Sequence, residues 1–156
     1  MQLNKALTVQ GHAAQSYPGV KYFNQYDVSQ DNAQALMWCR KAAAQGEVMA
    51  QVHLGVMYAE GYAVTQDYAQ AMMWFRKAAA QGAAIAQYNL GTMYADARSV
   101  PQDNVQAMMW YLIAKDGGIE LADQNLQQLK AHSTWGQIAE ANKMAQEWWT
   151  AHPQKS

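Results

Sequence analysis

The sequence predicts an all-α fold: an αα-superhelix, meaning a right-handed solenoid of helix–turn–helix repeats, with a capping helix at its C-terminal end. The first observation is an internal repeat, because residues 67–82 (DYAQAMMWFRKAAAQG) match residues 31–46 (DNAQALMWCRKAAAQG) at 13 of 16 positions. The second is its period, because a looser copy (DNVQAMMWYLIAKDGG) begins at Asp103, so that successive copies start 36 residues apart. Self-similarity at a fixed period of this size indicates stacked units of supersecondary structure.

Composition and charge limit the possible functions. The chain has 156 residues, of which 51% are hydrophobic, which suits one domain or one short repeat array. Its formal net charge is −1, so it has no basic surplus to hold a phosphate backbone and we expect no nucleic-acid partner. The default oligomeric state is a monomer.

Targeting signals are weak. The only apolar run near the start, residues 6–9, is far shorter than the roughly 7 to 15 apolar residues of a secretory signal. No stretch approaches the roughly 20 consecutive apolar residues of a membrane-spanning helix. A cytoplasmic location is therefore the default expectation, and a periplasmic or secreted one stays open.

The second helix of each repeat has a predictable start and end. An aspartate followed three residues later by a glutamine is typical of an N-cap with its capping-box partner. A glycine after the alanine-rich end is typical of a helix that stops in the left-handed region. The N-cap aspartates are Asp31, Asp67 and Asp103, and the terminal glycines are Gly46, Gly82 and Gly118. Helices are thus predicted near 31–45, 67–81 and 103–116.

An apolar stripe runs along this second helix. In the central copy its members recur at i, i+3, i+4, i+7 and i+8, and they are Ala71, Trp74, Phe75, Ala78 and Ala79. The tryptophans Trp38, Trp74 and Trp110 could form an aromatic binding ladder, but stripe residues at helical spacing are far more often core. Cys39, the one cysteine, takes the place of Phe75 in its copy, so we expect a buried, unreactive thiol.

The first helix of each repeat is predicted near 48–60, 84–96 and 119–132. Its core pattern of Ala50, Leu54, Met57 and Tyr58 recurs 36 residues later. Gly55 lies inside this pattern despite a cost near 1 kcal/mol relative to alanine, which close contact with another helix would offset.

The domain boundaries follow from these copies. Residues 1–13 are predicted to be an irregular remnant, 14–47 a degenerate copy broken by Pro18, 48–83 and 84–118 full copies, and 119–132 a half copy. Thr134 and Gln137 form a second style of capping box, which begins a C-terminal capping helix over 133–151. Residues 152–156 are a polar tail.

These motifs together carry a family resemblance. Three stretches resemble the Sel-one-like repeat (SLR), a relative of the tetratricopeptide repeat. They are the run AQYNLGTMY at 86–94, the loop ending in a valine and then an aspartate, and the AxxWFRKAAAQG ending at 71–82. The likeness covers about residues 14–132. Within the family the chain resembles bacterial proteins with short arrays. Ala63 and Ser99 stand where the family usually has a loop glycine. The resemblance implies an α-solenoid scaffold that mediates protein contacts.

Motifs for catalysis or metal binding are missing from the sequence. It has no glycine-rich phosphate loop, no GxSxG, no HExxH and no EF-hand loop, and its four histidines lack ligand spacing. We therefore expect no catalytic residue, no metal and no cofactor. The resemblance also implies a β-lactamase-type activity, as described for some SLR proteins, but the SxxK residues of such a reaction are absent. That activity is kept as an alternative, beside an eroded paralogue without a dedicated ligand.

A partner-binding strip is predicted on the first helices. The positions roughly opposite the core pattern would line the concave side of the array, and they are Val52, Val56, Tyr88, Thr92, Asp96, Gln124 and Gln128. Valine, tyrosine and amide groups with little net charge suit an extended peptide or a partner helix. The alternative is an ordinary solvated face.

Overall fold

The computed structural model describes residues 29–96 and 102–153, with side chains from residue 33 onward. This part of the chain contains seven α-helices and no strand, which confirms the predicted all-α class. The helices are α1 (Ser29–Ala44), α2 (Val48–Glu60), α3 (Tyr68–Ala80), α4 (Ala84–Ala95), α5 (Asn104–Asp116), α6 (Glu120–Ala131) and α7 (Trp135–Ala151). The predicted remnant at 1–13, the break at Pro18 and the loop position Ser99 lie outside the described residues.

The helix ends follow the predicted signals. Asp67 accepts a hydrogen bond from the Gln70 backbone N–H at 3.1 Å, and Asp103 does the same for Gln106 at 3.0 Å. The three terminal glycines have φ values of 91°, 93° and 97°, as a left-handed stop requires. The N-cap prediction is wrong at Asp31, because α1 already begins at Ser29 and Asp31 lies within its first turn.

The chain forms two compact units, Met1–Gln81 and Gly82–Ser156. In the described part of the first unit, α2 packs against both α1 and α3. Its core cluster joins small and large apolar side chains of α1 and α2, namely Cys39, Ala43, Ala50, Leu54 and Met57. Val64, from the loop after α2, packs against this cluster.

In the second unit α5 is the central helix, because α4, α6 and α7 all pack against it. The predicted capping box starts α7: Gln137 N–H donates to the Thr134 hydroxyl at 3.1 Å, and Thr134 N–H donates to the Gln137 side chain at 2.9 Å. Ala141 and Ala145 on α7 are buried, so small residues form its contact face.

The glycines inside α2 and α4 mark close helix contacts. A Cβ at Gly55 would collide with the ring of Phe75 on α3, and a Cβ at Gly91 would lie 2.7 Å from Cδ1 of Tyr111 on α5. Each unit therefore has one aromatic ring packed directly against a helical glycine. This contact explains why glycine, which is unfavourable inside a helix, stands at these positions.

Candidate interaction surface

The predicted binding strip is mostly buried. Val52 and Val56 on α2 are fully enclosed, as is Tyr88 on α4, and Thr92 keeps only 8% of its surface exposed. The prediction that these four side chains are exposed is therefore wrong. Asp96, Gln124 and Gln128 are exposed, and all three lie in the second unit. A partner contact at these three remains a prediction.

The buried strip residues of the second unit form a cluster of hydroxyl groups. The Tyr88 ring is tilted against Tyr111, with centroids 5.7 Å apart, and the hydroxyls of Thr92 and Tyr111 are hydrogen bonded at 3.1 Å. Asn125 on α6 donates to the Tyr88 hydroxyl at 3.3 Å. Burial raises the pKa of Tyr111 to about 12. The helical wheel failed here because it assigned α4 one buried arc, whereas α5 and α6 both contact this side of it.

Three of the exposed large apolar side chains lie on the second helices of the first unit, whereas the other two among the described residues, Leu121 and Trp135, lie on α6 and at the start of α7. Met37 is 56% exposed, and Trp38 and Met73 are each 38% exposed. We group them with their neighbours under the name Met–Trp face, on two helices that both pack against α2: Met37, Trp38 and Lys41 on α1, and Met73, Trp74 and Lys77 on α3. The spacing i, i+1, i+4 puts each trio on one side of its helix. Trp74 is half-buried and packs with its inner edge against the core cluster.

The Met–Trp face has a positively charged rim. The Lys41 ammonium lies 5.6 Å from the centroid of the Trp38 ring, and the Lys77 ammonium lies 4.9 Å from that of Trp74. At such distances a cation is attracted to the ring face. The exposed Arg40 donates to the Tyr58 hydroxyl at 3.1 Å. Residues 33–44 and 68–80 include no acidic side chain, so every charged residue on these two stretches is a cation.

The corresponding face of α5, 36 residues further on, is covered. Met109 and Trp110 are only 6% and 8% exposed, and Ile113, which stands where α3 has Lys77, is 2% exposed. The helix α7 packs against α5 there, and Trp148 meets Trp110 edge-on with centroids 6.0 Å apart. The second unit thus shows the same methionine and tryptophan positions with a helix seated on them.

Sequence reasoning missed this surface because it assigned all three tryptophans to the core. That assignment is correct for Trp110 and wrong for Trp38. A usable signal was present, since Arg76 and Lys77 of the central copy become Leu112 and Ile113 in the third. Two charged positions that turn apolar in one copy indicate that only this copy is covered.

The described part of the chain offers little for catalysis or metal binding. Burial raises the pKa of the Cys39 thiol to about 12, which agrees with the predicted unreactive cysteine. His53 is also buried, and burial lowers its pKa to about 4, while its Nδ1 is paired with the Met49 carbonyl at 2.6 Å. No group of three or more His, Cys, Asp or Glu residues among the described residues could hold a metal ion.

None of the described helices combines the length and the apolar character that crossing a bilayer requires.

Comparisons with known proteins identify similar repeats and structures. The family model described as Sel1 repeat matches three times, over residues 13–47, 48–82 and 84–119. Repeats of this family form helical scaffolds that generally mediate protein interactions. A search of curated proteins found no match.

Two solved structures show the same fold. The crystal structure of c5321, a protective antigen of uropathogenic Escherichia coli strains with an SLR fold, has a TM-score of 0.81 and 34% identity over 86% of this chain. A Sel1 repeat protein from Oxalobacter formigenes has a TM-score of 0.57 and 31% identity over 60% of this chain. The matches cover 29% and 39% of those two proteins, so the chain corresponds to a part of each.

Proposed function

The chain belongs to the Sel1-repeat family, and on that premise we propose that it is a protein-binding scaffold that uses the Met–Trp face of its first unit as a docking surface. The observation that carries the proposal is the exposure of Met37, Trp38 and Met73 on two helices of one unit. Methionine and aromatic side chains are enriched at protein interfaces, and methionine adapts its shape to a partner.

The predicted concave strip supports the proposal less well. Its apolar members are buried and engaged within their own units, so they offer no surface without a rearrangement of the helices. The exposed remainder in the second unit consists of one aspartate and two glutamines. Charged and amide groups of this kind are typical of an interface rim rather than of its centre. No observation on the described residues favours β-lactamase-type hydrolysis as a second candidate.

Site-specific photo-crosslinking in cells that express the chain tests the proposal. The photoreactive residue p-benzoylphenylalanine is placed at Met37, at Gln128 on the remaining strip, and at Lys143, an exposed control position on α7. We expect a discrete protein adduct from position 37 alone, which a Trp38→Gln, Met73→Gln double variant abolishes. Adducts from position 128 alone would move the docking surface to the second unit. Absence of any discrete adduct from positions 37 and 128 would contradict the binding function.

A further inference from the structure

The second unit shows what kind of element can occupy a face of this composition. Helix α7 approaches α5 with two buried alanines one turn apart, Ala141 and Ala145, and with Trp148 one turn further on. Small residues let two helix backbones come close, and the following aromatic ring meets Trp110 edge-on. The occupant of the covered face is thus a helix with small, small and aromatic residues at i, i+4 and i+7.

The Met–Trp face differs from the covered face in charge. Where α5 has Leu112 and Ile113, α1 has Arg40 and Lys41, and α3 has an arginine and a lysine as well. Cations in the last turn also favour a helix through its dipole. That effect does not require Met37 or Trp38 to be exposed, and α5 meets it with Lys115 while its Met–Trp positions are covered. Stabilisation of the helix therefore does not account for the cations on α1 and α3. The difference in charge changes the surface that a partner bound to these helices would contact.

We infer that the Met–Trp face receives an amphipathic α-helix of a partner protein, with small and aromatic residues spaced as on α7 and with acidic residues on its flanks. The apolar centre would take the small and aromatic residues as α5 takes those of α7. The rim cations Arg40, Lys41 and Lys77 would pair with carboxylates of the partner helix, whereas the apolar Leu112 and Ile113 of α5 make no such demand on α7. This inference rests on the proposed function and names the partner class.

Synthetic peptides test the inference on the full chain. The first peptide has the sequence of residues 134–152, and the second is an acidic version with Asn142→Glu and Gln146→Glu, two exposed positions on one flank of the small-residue face, the other flank already carrying glutamates. The third keeps the acidic flanks but carries Ala141→Gln and Ala145→Gln, which spoil the small-residue face. Binding is measured by isothermal titration calorimetry at low and high salt.

We expect the acidic peptide to bind at least about fivefold more tightly than the first, with the advantage lost at high salt because exposed charges are screened. The third peptide should bind at least about tenfold more weakly than the second. In the chain, Trp38→Gln with Met73→Gln should abolish binding, and Lys41→Gln with Lys77→Gln should remove only the preference for the acidic peptide.

Other outcomes overturn the inference in distinguishable ways. If the third peptide binds as well as the second, charge alone attracts the peptide, and the small-residue face of the helix does not contribute to binding. If no peptide binds while position 37 still gives a crosslink, the partner is not such a helix, although the binding function stands. If the peptide-free chain dimerises by light scattering and Met37→Gln abolishes the dimer, the occupant is a second copy of the chain.

Discussion

The helices α3 and α5 share the run QAMMW in sequence but differ in what surrounds it. On α3 the two residues after Phe75 are Arg76 and Lys77, and Met73 is exposed. On α5 the two residues after Tyr111 are Leu112 and Ile113, and α7 covers the run. The inner stripe behaves alike in both, since Phe75 and Tyr111 each press against a glycine of the preceding helix. The inner faces of the two helices are therefore alike because the repeat conserves their residues. The outer faces differ, and the residue three positions after the tryptophan differs with them: it is Lys77 on the exposed face and Ile113 on the covered one.

Exchange of the residues that distinguish α3 from α5 should have the largest effect on stability. Ile113→Lys would place an unpaired ammonium between α5 and α7, at a cost of about 3 to 5 kcal/mol of unfolding free energy. Lys77→Ile on the exposed face should change stability by less than about 0.5 kcal/mol. Urea denaturation compares the two variants. Similar losses in both would mean that the two faces have the same environment.

Removal of the tryptophans gives the next largest contrast. Trp110→Ala should cost about 3 to 5 kcal/mol because the ring is buried and in contact with Trp148. Trp38→Ala should cost below about 1 kcal/mol, and Trp74→Ala, whose ring is half-buried, should fall between them. Thermal denaturation with far-ultraviolet circular dichroism measures all three. A loss at Trp38 as large as that at Trp110 would place Trp38 in the core.

A difference in pH dependence is expected from His53, whose counterpart in the second unit is Asn89. Burial lowers the pKa of His53 from 6.5 to about 4, so between these values the unfolded chain binds the proton that the folded chain rejects. Stability should therefore fall by about 1 to 3 kcal/mol as the pH drops from about 6.5 to about 4. His53→Asn should flatten this part of the profile. An unchanged profile in that variant would assign the acid sensitivity to other groups.

The smallest expected effect concerns the loop that joins α2 to α3. Ala63 has a φ of 60°, in the left-handed region that costs an L-residue about 1 to 2 kcal/mol. Ala63→Gly removes this strain, but glycine also raises the conformational entropy of the unfolded chain, which offsets part of the stabilisation. We therefore expect a net stabilisation of about 0.5 to 1 kcal/mol. Ala63→Val should be destabilising in the same thermal assay. If glycine destabilises the chain, the loop does not have this conformation in solution.

The sequence predicted most of the fold because repeat period, caps and glycines are local signals. Asp67, Asp103 and the capping box at Thr134 all mark true helix starts, and Gly55 correctly indicated a close helix contact. The interaction surface was harder to predict because exposure depends on which helices pack against a position. A wheel drawn for α4 alone cannot show that Asn125 of α6 reaches Tyr88.

Methionine oxidation tests most directly whether the same sequence positions are open in the first unit and covered in the second. The intact chain is treated with dilute hydrogen peroxide, and the sulfoxide at each methionine is followed over time by peptide mass spectrometry. Because oxidation follows exposure, Met37 and Met73 should react at least about tenfold faster than Met109, with the fully buried Met108 as the slow reference. Equal rates at Met37, Met73 and Met109 would contradict the existence of an open Met–Trp face.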